Sequence, residues 1–152
     1  MKIEDILDRP FTFTKRPQLI PCEMRPLWKA SLIMVIFGLT AKNNACSLKK
    51  LHVANWISKS KKHFDDFIAW NNNDFYLKPE IRLDPTLDRT LELLLADGFL
   101  EKTEDRIKIT ESGLLAFNKI ITTDGFAFER KSLTSAKKYL SEASIDRIFK
   151  VR

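Results

Sequence analysis

Apolar and polar positions fall along this chain in blocks, and the blocks predict many helices and few strands. The most apolar run is Leu32 to Leu39 (LIMVIFGL), closed off by Lys29 and Lys42. It is far shorter than the ~20 residues a membrane span needs, so it reads as a helix buried on nearly all sides. Pro26 is a natural first-turn residue for that helix, which covers LWKASLIMVIFGLTAK. Asn43-Asn44 gives a turn. Ser47 is the N-cap of a second helix, LKKLHVANWISK, with Leu48, Leu51, Ala54 and Ile57 at helical spacing. A third helix over Lys61 to Trp70 puts Phe64, Phe67 and Ile68 on one face, and Asn71-Asn72-Asn73-Asp74 ends it.

Phe75 to Leu83 reads as extended, an edge strand at best because of Pro79. Asp84-Pro85 then opens a helix, with the aspartate as N-cap and proline at the first helical position. Leu87, Leu91, Leu94 and Leu95 follow at helical spacing, and Asp97-Gly98 supplies a left-handed stop. Two short strands, FLEKT and RIKIT, are joined by a tight Glu104-Asp105 turn. Ile107 and Ile109 alternate with Arg106 and Lys108, the mark of a hairpin with one buried face. Thr110 caps the helix ESGLLAFNKII. From Ser132 onward one or two closing helices turn Leu133, Leu140, Ile145 and Phe149 inward. At the other end, Pro10, Pro17, Pro21 and Pro26 forbid a continuous helix, and Phe11-Thr12-Phe13-Thr14 alternates like a short strand. The expected division is an arm at 1–25, a domain at 26–131 and a helical extension at 132–152. The expected class is α+β, mainly α with a small β-hairpin.

The order of the later elements is the informative part. A leucine-rich helix ends in Asp-Gly, runs into GFLEKTEDRIKIT and hands over to TESGLLAF. This resembles the second half of a winged helix-turn-helix domain, with the helix from Asp84 as the recognition helix and the hairpin as the wing. The resemblance implies a fold and leaves function open, because winged helices serve both as DNA readers and as protein-docking modules.

Charge narrows the choice. The chain of 152 residues carries a formal +6, a mild basic bias compatible with nucleic acid or an acidic partner. Its distribution is two-sided. Residues 84–105 hold Asp84, Asp88, Glu92, Asp97, Glu101, Glu104 and Asp105 against Arg89 and Lys102. A phosphate backbone would be repelled there, which argues against the usual DNA-docking mode of the fold. Residues 41–63 hold Lys42, Lys49, Lys50, Lys59, Lys61 and Lys62 with no acid. Such a run is either a solvated helix face or a contact for an acidic or nucleic-acid partner. Lys49, Lys50, Lys59, Lys61 and Lys62 are the candidates for that contact. Residues 128–152 are also basic, with seven cations against Glu129, Glu142 and Asp146.

Chemistry-bearing motifs are sparse. His52 and His63 lie eleven apart with no ligand at metal spacing, although Cys46 is near, and read as structural histidines. Cys22 and Cys46 form neither a CxxC nor a disulfide framework, and read as reduced cytosolic thiols. No phosphate-loop, nucleophile-elbow or zinc-protease motif occurs, so no catalytic, cofactor or metal residue is expected. The first ten residues carry acids and a proline where a signal peptide needs an apolar stretch, so a cytoplasmic location is expected. Trp28 on the apolar helix belongs to the core. Trp56, Phe67 and Trp70 lie beside the lysine run, the mix of anchor and polar rim that interfaces use, and are the candidate protein interface. Trp56 and Trp70 are equally compatible with a core role, since large aromatics are seldom fully buried.

A more particular resemblance rests on RPLWKASLIMVIFGLTAKNNACSLKKLHVANW together with DPTLDRTLELLLADGFLEKTEDRIKITESG. Its carrying features are Arg25-Pro26-Leu27, then Ser47-Leu48-Lys49-Lys50-Leu51-His52 with Asn55-Trp56, and Asp84-Pro85-x-Leu87-x-Arg89. Over about residues 25–121 the chain resembles the middle component of bacterial ABC-three-component defence systems, the group that includes Lamassu. That resemblance implies a non-catalytic accessory subunit assembled with an SMC-like ATPase and an effector in an anti-phage complex that senses foreign DNA. The lysine run by itself predicts at most weak duplex DNA contact without sequence preference, and no membrane and no small-molecule substrate are expected. The alternative is a stand-alone winged-helix transcriptional regulator, for which bases on the recognition helix would be expected.

Overall fold

A computed structural model of the chain describes residues 20–73 and 76–150. The strand expected at Phe11–Thr14, and most of the 1–25 arm, lie outside the described residues. From the arm, Cys22–Met24 forms a single 3₁₀ turn leading into the first α-helix.

The apolar run becomes α1 (Pro26–Thr40), started by Pro26 and buried continuously from Leu32 to Phe37. Six consecutive buried residues cover every direction around a helix of 3.6 residues per turn, so this helix has no solvent stripe. Asn43 and Asn44 then take left-handed φ values of 54° and 62°, a region that asparagine tolerates better than most residues. The reversal sets the two-residue strand β1 (Ala45–Cys46) against the later hairpin. This strand was not expected from sequence, since two residues hold no alternation to read.

Ser47 accepts the Lys50 N–H and caps α2 (Leu48–Ile57), and Ser60 does the same for His63 at the head of α3 (Lys61–Asn72). The expected edge strand after α3 does not form. Residues 76–84 run as irregular backbone, consistent with Pro79 lacking a ladder donor. Asp84 caps α4 (Pro85–Ala96) by accepting the Thr86 N–H. That helix ends in a Schellman motif, with Gly98 N–H on Leu95 and Phe99 N–H on Leu94, and Gly98 at φ 80°.

The hairpin of β2 (Leu100–Lys102) and β3 (Ile107–Ile109) follows. With β1 it makes a three-stranded antiparallel sheet in the order β1-β3-β2, Ala45 opposite Lys108 and Glu101 opposite Lys108 on its other side. Ile107 and Ile109 point inward and Lys108 outward, as the alternation requires. Thr110 caps α5 (Glu111–Ile121). Two further helices, α6 (Ala127–Ala136) and α7 (Glu142–Phe149), close the chain. The fold is therefore mainly helical with one small antiparallel sheet.

Two apolar clusters hold these elements together. The larger one joins α1, α4 and the sheet, and includes Leu87, Leu91, Leu94, Leu100, Ile107 and Ile109. The smaller one gathers Val53, Trp56, Ile57, Phe67, Trp70, Ala136, Leu140, Ile145 and Ile148. Helix α2 stands between them, giving Leu51 and Ala54 to the first and Val53, Trp56 and Ile57 to the second. Every residue from Lys50 to Ser58 is consequently buried, while Leu48, expected inward, is 46% exposed. Helix α6 bridges in the same way, with Leu133 in the larger cluster and Ala136 in the smaller. A boundary at 131/132 therefore cuts through the middle of a helix that belongs to both clusters. In α7 the inward residues are Ile145 and Ile148, with Phe149 only partly covered.

Candidate functional site

Tertiary pairing divides the lysine run into separate fates. Lys50 is buried, and its Nζ donates to the Thr40 carbonyl at 2.7 Å, capping the C-terminus of α1 where a cation is favoured. It cannot serve as a surface contact, which corrects its expected role. Lys59 Nζ lies 3.7 Å from Asp84. Lys49 lies 3.8 Å from Asp146 on α7 and over the Phe149 ring. Lys61 and Lys62 are about four-fifths exposed, and each pairs with the carboxylate one helical turn on, Asp65 and Asp66. The acid-free stretch of sequence is thus partnered by acids from α3, α4 and α7, and the folded surface is much less basic than the run suggested.

The expected interface aromatics are core. Phe67 and Trp70 are fully covered, and Trp56, 8% exposed, stacks on His63 at 4.3 Å between ring centres. The reason is α7: its Ile145 and Ile148 cover the face of α2 and α3 that would otherwise be open. Arg147 also lies 4.8 Å from the Trp70 ring, a cation on an aromatic face.

A buried polar tie, which sequence spacing did not reveal, joins α1, α2 and the head of α4. Lys29, 1% exposed, donates to Asn55 Oδ1 at 2.8 Å and to Asp84 Oδ2 at 3.3 Å. Asn55 Nδ2 donates to the same Asp84 oxygen at 3.2 Å. The Asp84 backbone N–H donates to His52 Nδ1 at 3.2 Å, so His52 carries its proton on Nε2 and donates it to Asp88 Oδ1 at 2.9 Å. Burial opposes ionisation of Asp84, but the Lys29 ammonium, the Asn55 amide, the Thr86 N–H and the Lys59 ammonium outweigh it and hold the carboxyl down at about 2. These bonds are made within the fold, so the cluster braces α1, α2 and the head of α4 against one another. One sequence signal could have announced it: a single lysine, Lys29, set in the most apolar helix.

Cys46 is inert. Burial pushes its thiol up to about 11, against the pull of Lys50. Among the described residues no group of three or more His, Cys, Asp or Glu could hold a metal ion, and no helix is long and apolar enough to cross a membrane.

The outer surface of α4 and the hairpin keeps an acidic excess after this pairing, with Arg89, Lys102 and Lys108 exposed among its carboxylates. Asp84 and Asp88 turn to internal partners, while Glu92, Asp97, Glu101, Glu104 and Asp105 are exposed and, among the described residues, none is in an ion pair. Leu93 is exposed beside them. No protein-family model, curated protein or solved structure matches the chain.

Proposed function

We propose that the chain is a non-catalytic winged-helix docking module, the accessory subunit that bridges an SMC-like ATPase and an effector in a bacterial defence complex. The element order supports the winged-helix reading: a strand between the first two helices pairs with the second strand of a hairpin that follows a leucine-rich helix. Under this reading α4 is the recognition helix and β2–β3 the wing.

The observation that carries the docking role is the sign of that face. A DNA reader places arginine, lysine, asparagine or glutamine on this helix to reach phosphates and base edges. Here α4 and the hairpin expose Glu92, Asp97, Glu101, Glu104, Asp105 and Leu93 against Arg89, Lys102 and Lys108, an acidic excess, while the lysines at 49, 50, 59, 61 and 62 are capped or paired within the chain. Acids with an apolar neighbour suit a protein surface with basic residues.

Titration of the pure protein with duplex DNA tests this. Binding should be no tighter than the non-specific range, about 10⁻⁴ to 10⁻⁶ M at physiological salt, and should show no sequence preference. Reversing Lys49, Lys61 and Lys62 to glutamate should remove it without unfolding the protein. Tight, sequence-selective binding that is lost on Arg89→Ala would establish the transcriptional-regulator reading instead.

A further inference from the structure

A groove of about 520 Å³ runs between α4 and the β2–β3 hairpin, within the size range of built ligand sites. One wall is the α4 stripe Asp88, Leu91, Glu92 and Leu95, at the i, i+3, i+4, i+7 positions of one helix face. The other wall is Lys102 and the stretch Glu104 to Ile107 of the hairpin, and Leu48 at the head of α2 adds an apolar side chain. Leu48 is 46% exposed although its neighbours Lys50 to Ser58 are all buried, so the groove carries apolar surface that the fold leaves uncovered.

The rim selects the occupant. Four carboxylates, Asp88, Glu92, Glu104 and Asp105, face two cations, Lys102 and Arg106. Asp88 accepts a hydrogen bond from the His52 ring, whereas among the described residues Glu92, Glu104 and Asp105 are in no ion pair. The apolar floor excludes a bare cation as the natural ligand, and the unpaired acids disfavour phosphate. The α4 stripe from Asp88 to Leu95 spans about 10 Å, two turns of a helix lying alongside it. We infer that this groove receives an amphipathic helix of a protein partner, with aliphatic anchors at i, i+4 and i+7 flanked by arginine or lysine. The inference rests on the docking reading above and specifies its partner surface.

Selection from a random peptide phage library, with the whole protein as bait, tests it without knowledge of the partner. Enriched peptides should carry helically spaced leucine-type anchors and net positive charge. Their addition to ¹⁵N-labelled protein should shift amide signals of residues 88–95 and 102–107. Leu48→Asp and Glu92→Lys change exposed side chains, so each variant should keep a dispersed native spectrum while binding the peptides about tenfold more weakly or worse. Enrichment of acidic or uncharged peptides would overturn the inference. So would a failure to enrich any peptide, shifts confined to another face, or equal binding by both variants. A duplex oligonucleotide that shifts the same residues would also overturn it and favour nucleic acid in the groove. The peptide measurement uses no ATPase. Failure of the wild-type protein to assemble with an ATPase would therefore count against the adaptor reading alone.

Discussion

Asp84 is the residue at which most of the fold's polar ties meet. Its side chain caps α4, accepts from Lys29 and Asn55 and lies near Lys59, while its backbone N–H fixes the His52 ring. Removing one member of a buried pair leaves the other charge without compensation, so Lys29→Met should cost about 3 kcal/mol in urea denaturation. Adding Asp84→Asn to that variant should recover part of the loss. The same carboxyl sets a pH window. It ionises at about 2 in the folded chain against an ordinary value of 3.8. Its contribution is therefore complete above about pH 4 and is lost as the pH falls toward 2. The acid limb of the stability curve should flatten across that interval in Asp84→Asn, and an unchanged slope would show that the pairing does not stabilise the fold. The cap itself was legible in Asp84-Pro85. Its partners were not, because Lys29 lies 55 positions away and no spacing rule connects them.

At the scale of elements, the later half of the chain could be read closely because each boundary carries its own chemistry. Asp84, Asp97-Gly98 and Thr110 act where their residue types predict, and Ile107 and Ile109 set the hairpin's buried face. Helix α2 shows the limit. Its spacing of Leu48, Leu51, Ala54 and Ile57 suggests one buried face, yet from Lys50 onward it is enclosed on all sides because α7 and α3 meet it opposite α1 and the sheet. Periodicity reports an amphipathic stripe, and a helix between two clusters has none. The same packing changes what Trp56 and Trp70 can do. As core residues, Phe67→Ala and Trp70→Ala should each cost about 3–5 kcal/mol and lower the melting temperature of the isolated protein. If either variant melts like the wild type, the α7 helix does not cover that face in solution.

Across the whole molecule, the sequence suggests a basic segment and an acidic one, and folding treats them differently. Acids from α3, α4 and α7 close on the lysines, whereas the α4–hairpin face keeps its exposed carboxylates. Charge runs along a chain say little about surface potential until the partners from other elements are known. The surviving acidic face, with its apolar groove, is the reason for reading the protein as a docking subunit. Co-expression with an SMC-like ATPase of a bacterial defence system, followed by size-exclusion chromatography with light scattering at micromolar concentration, is the most direct test of the docking proposal. If the proposal holds, a stable complex of defined mass that contains both chains and persists without DNA is expected. A protein that elutes apart from the ATPase, as a monomer or homodimer, would contradict it.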